Sequence, residues 1–120
     1  MTSAKLDAIV YPVRNVSAAA SFYRDALGLE QRVIDGERYA AMAAGGIHMT
    51  LVGCEEDVTS GVAAACFRVP CVDDAVEAAV NVGAVVVSSA SKGPHEVRAT
   101  LKDPSTRSYS TVLAEQSNIQ

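Results

Sequence analysis

Asn15-Val-Ser-Ala-Ala-Ala-Ser-Phe-Tyr-Arg-Asp-Ala-Leu-Gly-Leu29 carries its own start and stop signals. The side chain of Asn15 can accept a hydrogen bond from an orphan N–H of a first helical turn. Gly28 can take the left-handed conformation that closes a helix. Between them Val16, Ala19, Ala20, Tyr23 and Leu27 recur at helical spacing and form one apolar stripe. Ser17, Ser21, Arg24 and Asp25 fall on other faces. The spacing predicts an amphipathic helix of about three turns, whose alanines let it lie close on a sheet.

Strand-like runs surround it. Leu6 to Val13 is rich in Ile, Val and Tyr and reads as a buried strand. After the helix, Glu30 to Ile34 and Arg38 to Ala44 read as strands joined by Asp35-Gly36, a tight-hairpin signal. Gly45-Gly46 marks a second hairpin, and Ile47 to Val52 completes a strand, helix, three-strand order. The charged loop Cys54 to Ser60 follows, and then the order restarts. Gly61 to Val69 is strand-like, and Val72 to Val82 is helical with Val72, Ala75, Val76, Ala79 and Val80 on its stripe. Gly83 ends that helix. Ala84 to Ser88, Glu96 to Lys102 and Arg107 to Ala114 read as strands, with Ser89 to His95 as a polar loop and Glu115 to Gln120 as a disordered tail.

The two halves register on each other. Ala8 and Ala64, Val13 and Val69, Val16 and Val72, and Ala19 and Ala75 all stand 56 positions apart. A fixed internal period of this kind is the signature of a duplicated supersecondary unit. The expected organisation is one domain over 1–120, with modules at 6–52 and 61–114.

Bulk properties narrow the function. A chain of 120 residues buries roughly 65% of its unfolded surface, enough for a real core. Net charge is −4 and no Lys/Arg cluster occurs, so nucleic acid is not an expected partner. No apolar run reaches membrane-spanning length and no signal-peptide pattern opens the chain, so a cytoplasmic location with no membrane partner is expected. Cys54, Cys66 and Cys71 lack metal-type spacing and are expected as reduced, buried or half-buried thiols.

Phe22-Tyr23-Arg24-Asp25-Ala26-Leu27-Gly28-Leu29, preceded by an apolar strand and Val13-Arg14-Asn15-Val16, resembles the first helix of the vicinal oxygen chelate superfamily. That group holds glyoxalase I, extradiol dioxygenases, methylmalonyl-CoA epimerase, fosfomycin-inactivating enzymes and bleomycin resistance proteins. The resemblance spans residues 6–114. It implies an α+β fold of two βαβββ modules forming a half-barrel cup, paired within one chain or across a homodimer. Enzymes of the group hold a divalent metal in the cup with His, Glu or Gln, and the resemblance places those four positions at Ala8, Thr50, Ala64 and Ser110. Two methyls and two hydroxyls do not suit a divalent ion. No metal or other cofactor is therefore expected.

Other side chains carry the remaining chemistry. Alternation puts His48 on the face of Thr50, where it can orient a ligand, act as a general base, or serve only as a hydrogen-bonded strand residue. Arg68 shares parity with Ala64 and Cys66, and Arg98 lies on a flanking strand. Either arginine can grip a carboxylate or phosphate, or pair with an acid at the rim. Tyr39 and Tyr109 are candidates for stacking, and His95 is expected at the surface. The expected function is a metal-free small-molecule-binding protein, similar to the bleomycin-resistance branch. It would sequester a small organic ligand with His48, Thr50, Cys66, Arg68, Arg98 and Ser110, under a mobile cover at Ser89 to His95. The alternative is a lyase, isomerase or dioxygenase with a displaced metal site or His48 as base.

Overall fold

The helix signalled by Asn15 and Gly28 forms in the computed structural model of the chain, as α1 (Val16–Leu27). The structure describes residues 4–57, 59, 61–92, 96–104 and 111–116. Asn15 is extended and its Oδ1 accepts from the Ala18 amide at 2.8 Å. Gly28 adopts φ +73° and donates to the Arg24 carbonyl, and Leu29 donates to the Tyr23 carbonyl, both at 3.1 Å, so two bonds close the helix.

The chain forms two compact units, one of Ala8–Ala63 and one of Met1–Asp7 with Ala64–Gln120. Each has an α+β, βαβββ order. In the first, the strands are β1 (Lys5–Pro12, whose first residues belong with the second unit), β2 (Glu30–Asp35), β3 (Tyr39–Ala44) and β4 (Ile47–Val52), ordered β2-β3-β4-β1. β1 and β4 run parallel, and the two hairpins are antiparallel. Gly45 has φ +80° at the first position of a two-residue turn between Ala44 and Ile47, as a type II′ hairpin requires. The Asp35-Gly36 turn is one residue longer than a tight hairpin. Asp35 pairs with Tyr39, so Gly36, Glu37 and Arg38 form the loop. The core comprises Val16 and Ala20 of α1 against Ala40, Met42 and Leu51, all at most 1% exposed, with Tyr11, Ala19, Tyr23, Leu29 and Met49 around them. Leu27, expected in the stripe, is 62% exposed, and Leu29 takes up the packing beyond the helix end.

In the second unit β5 (Ala64–Arg68), α2 (Val72–Asn81), β6 (Val85–Lys92), β7 (Glu96–Lys102) and β8 (Thr111–Gln116) follow, ordered β5-β8-β7-β6. α2 ends in the double-bond Schellman closure: Gly83, at φ +106°, donates to Val80 and Ala84 donates to Ala79. Val72 and Ala75 pack on Val69, Ala99, Leu101 and Leu113, with Phe67, Val76, Ala79, Ala90 and Val97 beside them. Val80 is 46% exposed and drops out of the expected stripe.

Two segments differ from the sequence reading. Ser89–Lys92 is not a loop: it continues β6, paired to β7 as Ser91 with Arg98 and Lys92 with Val97. Hydrogen-bonded pairing along a strand removes those residues from any mobile cover; His95 lies outside the described residues. Glu115 and Gln116 likewise extend β8 rather than opening a tail.

Candidate functional site

Strand register decides which side chains share a face. In the first unit Ala40, Met42 and Leu51 meet α1. Alternation therefore turns their neighbours the other way. Across this opposite face Ala8 pairs with His48, and His48 with Ala43; Val10 pairs with Thr50, and Thr50 with Ala41. Ala8 and Val10 are buried, Thr50 half-buried and His48 exposed. The structure thus brings His48 and Thr50 onto one face, as parity predicts, on a floor of methyl groups. Tyr39 pairs with Val52 at the hairpin end of that face.

In the second unit Ala99, Leu101 and Leu113 meet α2. The opposite face carries two cross-strand rows. One runs Arg68, Ala114, Arg98; the other runs Cys66, Val112, Thr100, Ser88. With strands about 4.8 Å apart, the two arginine Cα atoms stand roughly 10 Å from one another across β8. Arg68 Nη2 donates to Asp7 Oδ2 at 3.1 Å, so the rim-pairing reading of this arginine is realised, with both side chains part-exposed. Cys66 is 6% exposed and Cys71 is half-buried, whereas Cys54, expected to be at least half-buried, is exposed in the turn after β4. Ser110 and Tyr109 lie outside the described residues.

The ladders also refine how the modules match. Ile9 beside Met49 and Ala65 beside Thr111 are equivalent pairs, so the offset is 56 on the first strands but 62 on the last. By that register the counterpart of Thr50 is the fully buried Val112. The lengthened connections of the second module hide this shift from a constant-period comparison.

Thr100 was not singled out by sequence reading. It is 1% exposed, and its Oγ1 has no hydrogen-bond partner among the described residues. The available signal was parity: Arg98, Thr100 and Lys102 alternate with Ala99 and Leu101 along β7, so all three share the face turned from α2.

Among the described residues, those at the expected metal positions do not suit a divalent ion. Ala8 and Ala64 offer no donor atom and Thr50 offers one neutral hydroxyl. Among the described residues no three His, Cys, Asp or Glu side chains converge. A separate cavity of about 360 Å³ opens on the α2 side of the second unit, lined mainly by Val69, Ala75, Ala79, Val82, Leu101 and Pro104; none of the predicted site residues among those described reaches it.

Residues 5–106 match the family model of the glyoxalase/bleomycin resistance protein/dioxygenase superfamily, and the chain belongs to that superfamily. Comparison with curated proteins returns no significant match. Among solved structures, a hypothetical protein from Bacillus halodurans is similar at TM-score 0.78 and 18% identity, covering 98% of each chain. Methylmalonyl-CoA epimerase from Mycobacterium tuberculosis gives TM-score 0.69 and 20% identity, over 93% of this chain and 87% of its own. A Streptomyces coelicolor methylmalonyl-CoA epimerase in complex with 2-nitronate-propionyl-CoA gives 0.72 and 18%, over 94% and 97%. At these identities the likeness concerns the fold, which hosts many functions. Among the described residues no helix is long and apolar enough to cross a membrane.

Proposed function

We propose that this chain is a metal-free small-molecule-binding protein that sequesters a small organic ligand against the sheet faces turned away from its helices. The observation that carries this reading is the side-chain set at the superfamily's metal positions. Alanine at residues 8 and 64 leaves space without donors. On the same faces His48, Thr50, Cys66, Arg68 and Arg98 supply a few polar anchors over apolar floors, the composition of a binding site rather than of a reactive centre. Ser110 is proposed with them. The working form is a homodimer in the cytoplasm; for the pairing, β2 and β6 each leave one edge without a neighbouring strand among the described residues.

Metal analysis of purified protein and a thermal-shift series over divalent ions test the first half of this reading. The expected result is no stoichiometric metal and no ion-specific stabilisation; tight uptake with a large rise in Tm overturns it. A thermal-shift screen of small metabolites and antibiotics tests the second half, because a compound that binds only the native state must raise Tm.

One observation favours a second reading. His48 stands directly across from Ala8 and is exposed, where an imidazole can take a proton from a carbon acid. An isomerase, lyase or dioxygenase relative of this kind would exchange substrate protons in D2O and lose that exchange in His48→Asn. A pure binder shows none.

A further inference from the structure

We propose that the pocket on the α2 side of the second unit binds a small uncharged aromatic molecule, one ring in size, at a site separate from the sheet faces invoked above. The duplication itself supplies the argument. α1 and α2 begin at the equivalent residues Val16 and Val72, and each is closed by a bond to an equivalent carbonyl: Leu29 N donates to Tyr23 O, and Ala84 N to Ala79 O. Tyr23 thus corresponds to Ala79, and Leu29 to Ala84. On the sheets Met42 pairs with Met49, and Leu101 with Thr111, at equivalent rungs. In the first unit Met42 is fully buried in the core, and Tyr23, Leu29 and Met49 pack against it. Their counterparts Ala79, Ala84, Leu101 and Thr111 are all smaller, and all four line the pocket.

Large side chains exchanged for small ones leave a void where the surroundings relax only in part. Here the void is about 360 Å³, within the roughly 300–1,000 Å³ of small-molecule sites. Its walls and its counterpart define the occupant. Val69, Ala75, Val82 and Leu113 complete an almost wholly apolar lining, so a charged ligand would be desolvated without compensation, and Asp103 adds repulsion against an anion. The largest group missing relative to the first unit is the ring of Tyr23, which there meets Tyr11 edge-on with centroids 6.4 Å apart. Apolar cavities of this kind take up benzene-like molecules. On one side the pocket is bounded where Gly83 meets Pro104, a Cβ on that glycine coming within 3.2 Å of Pro104 Cγ. Val82, 77% exposed, stands at the mouth, so a ligand can enter without the unit unfolding.

The test titrates the full chain with toluene, with benzoate and n-hexane in parallel arms, and reads Tm together with the methyl chemical shifts of Val82 and Leu101. Toluene should bind saturably, move both sets of methyl signals, and raise Tm by about 3 °C or more once it exceeds its Kd tenfold. Benzoate should bind at least about tenfold more weakly, because its carboxylate would lose solvent beside Asp103. n-Hexane, which must freeze its torsions to fit, should raise Tm less. Ala79→Tyr, which supplies the ring found in the first unit, should abolish toluene binding and melt at or above the wild type. Ala84→Leu, a milder filling, should weaken toluene binding by about tenfold, and it decides alone if Ala79→Tyr does not fold. No saturable response to toluene, an equal response to n-hexane, or wild-type affinity in either folded variant overturns the proposal. Loss of toluene binding as protein concentration rises also overturns it, and assigns the pocket to a second copy of the chain. Each of these failures leaves the sheet-face ligand reading intact, because the two sites share no residue.

Discussion

The amides of Val16 and Val72, 56 residues apart, each donate to a glutamate carboxylate, at 2.7 and 2.6 Å. The two glutamates come from unrelated places. Glu37 sits in the loop between β2 and β3 and also accepts from the Ser17 amide at 3.2 Å, whereas Glu115 lies on β8 itself. Around them the capping differs again. Asn15 caps α1 with its side chain, while Cys71 makes no side-chain cap on α2, whose first turn instead carries Asp73 and Asp74. At the far ends α1 closes with Gly28 on Arg24 and Leu29 on Tyr23, whereas α2 closes with Gly83 on Val80 and Ala84 on Ala79. Each helix start exposes orphan N–H groups beside the positive end of its dipole, so each module needs an acceptor there. The duplication therefore preserves a backbone demand; whichever carboxylate passes nearby meets it.

This contrast can be broken most forcefully at Gly53. A Cβ there would run into the carbonyl oxygen of Glu37, while Gly53 N donates to Arg38 O at 2.8 Å. Gly53→Ala should destabilise the protein by about 3 kcal/mol in denaturant unfolding, the upper range for overpacking. It should also loosen the Glu37 contact with α1 while leaving the hydrogen exchange of α2 unchanged.

Truncating the helix anchors tests whether the two cores are equal. Val16 and Val72 are both 0% exposed, and Val→Ala at either should cost about 2 kcal/mol by urea titration. The caps should then separate the modules. Asn15→Ala should lose about 1 kcal/mol, whereas Cys71→Asn, which supplies a cap that α2 lacks, should gain about 0.5 kcal/mol.

The subtlest difference is in pH dependence. Hydrogen bonding to the Ser17 side chain, followed by the Val16 and Ser17 amides, outweighs burial and holds the Glu37 carboxyl below the usual glutamate range. A depressed carboxyl stabilises the fold fully above its unfolded pKa and loses that contribution as pH falls through the lower folded value. Acid titration of wild type against Glu37→Gln should show extra acid-induced loss of Tm in the wild type alone, between those two values.

The local chemistry of α1 was legible before the fold was known. Asn15 and Gly28 each act in the predicted place because capping and left-handed closure depend on a few adjacent residues. The hairpins were legible for the same reason, as was the shared face of His48 and Thr50, since strand alternation is a local rule. Leu27 and Val80 misled because periodicity shows which residues are apolar, not how far along a helix the neighbouring sheet reaches. Ser89–Lys92 misled because polar composition suggests a loop until a partner strand supplies hydrogen bonds.

By itself the sequence determined the repeated strand, helix, three-strand order and the unsuitability of Ala8 and Ala64 as metal ligands, since both follow from residue identity and short-range spacing. Tertiary structure alone decided that Glu37 and Glu115 cap helices 21 and 43 residues away. It also set the register of Thr50 against Val10 and left the Thr100 hydroxyl buried without a partner among the described residues. Those facts depend on which strands lie side by side, and such long-range pairings are fixed only when the whole chain packs.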